Sequence, residues 1–287
     1  AGDIPAARMI ASSVTIVRGC SGGCSFCAIT RHQGASVQSR SRASIVAECE
    51  KIAGQNDFRG TISDLGGPTA NLYATSCGLD ASTGGCRRHD CLYPKVCKNL
   101  RTNEDEFLEL LRQVGSINGV RHVFISSGLR MELLRRTPRL LRDILDKHCP
   151  GVLKIAPEHT SDNVLRLMRK EKHEELRQLL TLCHAIGREL GKPARLSPYL
   201  LSAHPGATAA DASKLADDMK RLGLTVAAFQ DFTPTPGTIA TAMYVTGLDR
   251  DSGQPIAVAR QAAERMRQRK TLEELLPQKR RASRGQR

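Results

Sequence analysis

Tryptophan is absent from these 287 residues, and aromatic side chains make up only 3% of the chain. Aromatic platforms of the kind that stack single-stranded nucleic acid are therefore poorly supplied. No run approaches the ~18 apolar residues that a membrane span needs, and the first residues lack the basic and apolar regions of a signal peptide. The expectation is a cytoplasmic protein with no membrane partner. Acidic residues are also in deficit, 29 against 43 Lys and Arg, which leaves a formal charge of +14. From Arg260 onward there are ten Lys and Arg against three Glu, an excess of seven. A solvated basic tail thus accounts for half of the imbalance without a nucleic-acid ligand.

Cysteine, by contrast, is plentiful. Seven of the ten fall in two compact groups, a pattern that suits metal in a reducing compartment better than a secreted disulfide frame. Cys49, Cys149 and Cys183 stand alone and read as core residues. Cys20, Cys24 and Cys27 are spaced C-x3-C-x2-C with glycines between them, so three thiolates can point at one centre. A structural zinc or an ordinary electron-transfer cluster takes four protein ligands. Three leave either a remote fourth ligand or a coordination position open for chemistry. Cys77, Cys86, Cys91 and Cys97 supply four thiolates within one segment, enough to close a second [4Fe-4S] cluster, a structural zinc or a disulfide pair.

Taken in order, the chain alternates strand and helix. Residues 1–10 have no cap and read as a cut edge. Expected strands are Ser12–Val17, Gly60–Leu65, Val120–Ser127, Val152–Ala156 stopped by Pro157, Arg195–Ser202 with Pro198 marking an edge or a bulge, and Thr225–Gln230. Helices are expected at Ser41–Ala53, Asn103–Val114, Pro138–His148, Ser161–Met168 capped by Ser161, Glu174–Leu190 stopped at Gly191, and Ala209–Leu222, with a last one over about 256–276. The stretch 238–251 fits no element. Residues 72–100 break the rhythm as a long cysteine-bearing loop.

Six strands with intervening helices imply an α/β fold, a parallel sheet closed wholly or partly into a TIM-like (β/α)6 barrel. Its active site belongs at the C-terminal strand ends. The candidate groups fall there: Cys20, Cys24 and Cys27 after the first strand, Gly66 and Gly67 after the second, Ser126 and Ser127 after the third, Glu158 and His159 after the fourth, and His204 after the fifth. Residues 1–250 form the expected core domain with 72–100 as a cysteine-rich insertion, and 251–287 a C-terminal helix and a disordered basic tail.

The cysteine loop with its aromatic residue, Cys20-x3-Cys24-x-Phe26-Cys27, resembles the signature of the radical S-adenosylmethionine (SAM) enzymes. Residues 154–170 are similar to the fourth-strand segment of radical SAM methylthiotransferases. RGCSGGCSFCAIT, SRSRASI, ISDLGGPTAN, CRRHDCLYPKVC, LKIAPEHT, SAHPG and AMYVTG together resemble the YgiQ family of radical SAM proteins, from Ile10 to about Gly247. Members of that family are longer at both ends. Pro68 stands where many radical SAM enzymes carry an acidic residue after two glycines.

The resemblance implies that Cys20, Cys24 and Cys27 hold a [4Fe-4S] cluster whose open iron takes SAM, and that Phe26 shields it. It implies that Gly66, Gly67, Ser126, Ser127 and Glu158 lie against SAM, and that His159 and His204 are candidates for substrate contact or proton transfer. An external donor of the flavodoxin or ferredoxin type would reduce the cluster, and the resulting radical would act on a substrate that the residues do not name. Two readings compete with this one: a non-catalytic iron-sulfur or zinc protein attached to RNA or the ribosome by its basic tail, and an RNA-modifying methylthiotransferase relative.

Overall fold

Short β-branched runs and amphipathic helices alternate along the chain, and the computed structural model wraps them around one core. It describes residues 4, 7–79, 86 and 90–277. Six strand positions follow in sequence: β1 (Ser13–Thr15), β2 (Thr61–Ile62 and Asp64–Gly66), β3 (His122–Val123), β4 (Leu153–Glu158), β5 (Leu196–Ser202) and β6 (Ala228–Asp231). All their pairings are parallel, with Ser13 opposite Asp64, Thr61 opposite His122, Leu153 opposite Leu196 and Tyr199 opposite Ala228. Leu129, just after β3, bridges to Ile155 of β4 and carries the order onward. Among the described residues no ladder closes β6 on β1, so the barrel is partial.

The main helices are α1 (Arg42–Ala53), α2 (Glu104–Gly115), α3 (Pro138–Asp143), α4 (Asp162–Met168), α5 (His173–Glu189), α6 (Ala209–Arg221), α7 (Ile239–Thr246) and α8 (Ala262–Glu273). Local chemistry sets their starts. Ser41 accepts from the Ser44 amide, Asn103 from the Glu106 amide, and Thr208 with Asp211 forms a reciprocal capping box. Inward residues such as Val14, Ile62, Leu65, Ile155 and Leu200 are buried against Leu110, Leu111, Leu176 and Leu179 of the helices. A smaller apolar cluster, Val164, Leu167, Met168, Phe232, Ala240 and Met243, takes up Phe26 of the cysteine loop.

Several expectations need correction. Pro157 does not stop the fourth strand. The register of β4 against β5 slips between Pro198 and Leu200, so Ala156 and Pro157 together face Tyr199. Pro157 is the extra residue of a bulge, where its missing N–H breaks no ladder bond. Pro198 marks that bulge and not an edge, since β5 lies between β4 and β6. The third strand is far shorter than 120–127. The unplaced stretch contains α7, capped by Thr238, whose hydroxyl accepts from the Thr241 amide. The last helix, α8, is shorter than 256–276 and packs across α6 and the ends of β5 and β6, with Gln268 accepting from the Ala203 amide and donating to the Ala207 carbonyl. The basic tail from 278 lies outside the described residues.

Candidate active site

The cysteine loop leaves β1 at the C-terminal end of the sheet and is seated through Ser25. The Ser25 amide donates to the Met168 carbonyl (2.9 Å), its carbonyl accepts from the Ala240 amide (2.8 Å), and its hydroxyl donates to Nε2 of His204 (3.1 Å). These partners belong to the connections after β4, β6 and β5, so three βα units fix one residue between two cysteines. Phe26 stands edge-on to the His204 ring, which stacks in the same manner on Phe232. From the other side the insertion docks: the Cys91 amide donates to the Ser21 carbonyl (2.7 Å), Asp90 pairs with Arg169, and Arg169 lies over the Tyr93 ring. Gly23 is required here. Its φ is +68°, and a Cβ would stand 2.7 Å from that of Asp90.

Behind the thiols lies a buried group of charges. Arg130, 7% exposed, donates from Nη1 to Cys24 Sγ at 3.1 Å. Its Nε and Nη2 reach Glu132 Oε1 at 2.9 and 2.8 Å, and Nη2 stands 3.8 Å from Glu171 Oε2. Asn71 holds the Arg130 backbone on both sides, accepting from its amide and donating to its carbonyl. Lys170 is equally buried, donates to the Ala156 carbonyl and stands 3.4 Å from Glu171 Oε1. Glu132 Oε2 and both Glu171 oxygens are buried and accept no hydrogen bond. Burial pushes the Cys24 thiol up against the pull of Arg130 and Lys170, and pushes Cys27 up to about 11. Cys20 and Cys24 lie near enough to Cys27 to oppose its ionisation further. Among the described residues, no three or more His, Cys, Asp or Glu converge as the ligands of one metal ion do.

Glu158 ends β4 in a left-handed conformation, φ +64°, at the bulge. Burial raises its carboxyl above the usual range despite Lys170, and it faces Cys27. A strained, buried carboxyl at a strand end beside the thiols fits a functional group.

The other expected site residues have partners within the chain. Gly66 and Gly67 lie at the end of β2, but the protein itself fills the space beside them. A Cβ on Gly66 would meet the Asp64 and Ser127 side chains, and one on Gly67 the Val17 carbonyl at 2.5 Å. The amides of Ser126 and Ser127 donate to Asp64 Oδ1 (2.7 and 3.1 Å), and their hydroxyls to the Ser63 carbonyl and Asp64 Oδ2. Asp64 thus ties the ends of β2 and β3. His159 and His204 are both held in hydrogen bonds within the chain. Burial lowers them to about 4 and about 3, so both are neutral near pH 7. His159 Nδ1 accepts from the Thr160 and Ser161 amides just ahead of α4, and the Ser161 side chain makes no cap bond. His204 donates from Nδ1 to the Pro205 carbonyl, which leaves Nε2 to accept from Ser25.

In the second group, Cys77 lies in a short antiparallel ladder opposite Leu100, and the Cys97 amide donates to the Cys91 carbonyl. Cys77 and Cys86 are exposed, and Cys91 and Cys97 half-buried. Residues 80–85 and 87–89 between them lie outside the described residues.

A cleft of about 620 Å³ opens beside Cys24 and Cys27, lined also by Thr30, Arg31, Arg169 and Arg250. A groove of about 630 Å³ between α1 and α2 holds no thiol and no buried charge, so we place the site at the cleft. Sequence reading missed Arg130, Lys170 and Glu171, which look like members of solvated charge runs. The usable signal for Arg130 was its position just past the third strand.

Comparison with known proteins shows the family and the fold. Residues 14–219 match the radical SAM superfamily. The chain is 47% identical over 278 residues to a UPF0313 protein of Geobacter sulfurreducens, covering 97% of this chain and 46% of that protein. It is 39% identical over 278 residues to one of Clostridium botulinum, covering 96% and 44%. UPF0313 is the YgiQ family that the motifs resemble. The chain therefore spans about half the length of the curated relatives it matches. Among solved structures it superposes on the radical SAM methyltransferase TsrM of Kitasatospora setae with cobalamin and a [4Fe-4S] cluster bound (TM-score 0.54, 18% identity, 81% of this chain and 36% of that one). It also superposes on the coproporphyrinogen III oxidase HemN of Escherichia coli (0.52, 15%, 92% and 51%). At these identities the likeness is one of fold, the TIM-like barrel expected from the sequence.

Proposed function

Because this chain belongs to the radical SAM superfamily, we propose that Cys20, Cys24 and Cys27 hold a [4Fe-4S] cluster and that the protein cleaves SAM reductively. One observation carries the reading: of three thiols on a single loop seated over the C-terminal strand ends, the middle one, Cys24, is bonded to a buried guanidinium and lies within the field of a buried ammonium. The residues fit the group. Thiolates and a cluster bring negative charge into a site that would otherwise repel it, and Arg130 and Lys170 supply the compensation. With Cys24 and Cys27 raised by burial, the loop needs that charge to give up its protons as a metal binds.

When bound, the cluster supplies one electron to the SAM sulfonium, whose carbon–sulfur bond breaks to give methionine and a 5′-deoxyadenosyl radical. The chain's own residues position and exclude. Ser25 and Phe26 hold the loop against the barrel and keep water from it. Glu158 is the group assigned to the SAM ribose or amino group. The electron comes from an external one-electron reductant, and SAM enters through the cleft beside Cys24 and Cys27. The four cysteines of the insertion supply a complete ligand set for a second metal.

The test is anaerobic reconstitution followed by dithionite and SAM. We expect release of 5′-deoxyadenosine, and none from Cys24→Ala. Iron that fails to bind, or SAM left intact under reduction, overturns the reading. Metal content resolves the second group: about eight iron per chain for two cubanes, about four with one zinc for the alternative.

A further inference from the structure

Arg130 bonds a cysteine thiol from inside the protein, and everything around it keeps it there. The Asn71 side chain brackets its backbone, Glu132 takes its Nε and Nη2, and Nη1 is left aimed at Cys24 Sγ. Gly22 makes the room: a Cβ there would stand 3.2 Å from Arg130 Nη1, 3.3 Å from its Cζ and 3.3 Å from Cys20 Sγ. The guanidinium therefore lies bonded to Cys24, with Gly22 between it and Cys20 Sγ. Its charge is partly offset by Glu132 and, at 3.8 Å, by Glu171.

We propose that Arg130 is a positioning residue that sets the reduction potential of the site held by Cys20, Cys24 and Cys27, with Glu171 acting on the same site in the opposite direction. The inference rests on the cluster reading above. One-electron reduction by an external donor adds one negative charge to a nearly dry site. A buried cation bonded to a ligand sulfur stabilises the reduced form, and a buried carboxylate destabilises it. Lys170 keeps Glu171 ionised, pulling its carboxyl below the ordinary value even against burial, so this second charge is present at neutral pH. The buried charged groups behind this site are Arg130 and Glu132 after β3, Glu158 at the end of β4, and Lys170 and Glu171 after α4, while Arg31, Asp90, Arg169 and Arg250 line the cleft on its outer side.

The experiment is a redox titration of the reconstituted protein monitored by EPR, with iron and sulfide measured on each sample. At the wild-type midpoint, Arg130→Met is expected to lower the reduced fraction about tenfold relative to the oxidised one, a shift of ~59 mV downward. Arg130→Lys, which keeps the charge, is expected to recover at least half of that shift. Glu171→Gln, nearly isosteric, is expected to move the midpoint upward. A packing defect does not give opposite signs from two neighbouring substitutions. Full iron content with unmoved midpoints in both Arg130→Met and Glu171→Gln overturns this inference and leaves the cluster reading standing. A wild-type chain that takes up no iron overturns both. If Arg130→Met does not fold, the sign of the Glu171→Gln shift decides alone.

Discussion

Cys20, Cys24 and Cys27 hang from a loop whose central residue is bonded to three βα units, whereas Cys77 sits exposed on a two-residue ladder and the insertion leans on the barrel through Asp90 and Cys91. The first group has its geometry imposed by the barrel. The second meets the barrel, among the described residues, through Asp90, Cys91 and Tyr93. Four thiolates can close a site by themselves, while three that leave a position open need a scaffold to hold it open.

The largest effect expected from this contrast is an asymmetry of loss. Cys24→Ala should abolish both iron at the first site and SAM cleavage. Cys97→Ala should remove only the second metal, leaving uncoupled 5′-deoxyadenosine formation within about threefold of wild type. Equal collapse in both variants would break the comparison.

Next comes the clamp. His204→Ala removes a fully buried ring, two aromatic contacts and the acceptor of the Ser25 hydroxyl. It should cost about 3 kcal/mol in urea unfolding and hasten iron loss to a chelator.

Acid should act on the same clamp. His159 and His204 have folded values of about 4 and 3, below the ordinary 6.5 they regain on unfolding. As pH falls below 6.5 the unfolded chain binds the extra protons. Stability therefore falls by up to ~1.4 kcal/mol per pH unit for each ring. Urea midpoints at pH 7, 6 and 5 measure the slope, which His204→Gln should reduce.

The smallest effect belongs to the insertion's attachment. Arg169→Ala loses the pair with Asp90 and the contact over Tyr93, worth about 1 kcal/mol. Exchange at the Cys91 and Cys97 amides should quicken while that at Ser25 stays unchanged.

Much of this was legible beforehand. β-branched runs and helix caps announce the alternation, and the cysteine spacing picks out the loop. The failures have physical causes. Ile239–Thr246 is apolar on nearly every side, so it has no helical stripe to detect. Pro157 reads as a stop because a one-residue slip between paired strands leaves no local trace. Ser126, Ser127, Gly66 and Gly67 are at strand ends as expected, but Asp64 claims the serine hydrogen bonds, and nothing in the chain's local pattern says so. Arg130, Lys170 and Glu171 read as solvent-facing charges, since burial of a charged network is a property of the assembled fold.

The three bonds on Ser25 also impose an order on manufacture. The last of them needs Ala240, roughly 215 residues further along the chain. At ~5–20 residues per second of synthesis, the loop waits about 10–40 s on the ribosome before its seat exists. On the proposed cluster reading, iron delivered earlier would meet thiols that nothing yet holds in place, so the site would be filled after the barrel is finished, with its first-made residues the last to become competent.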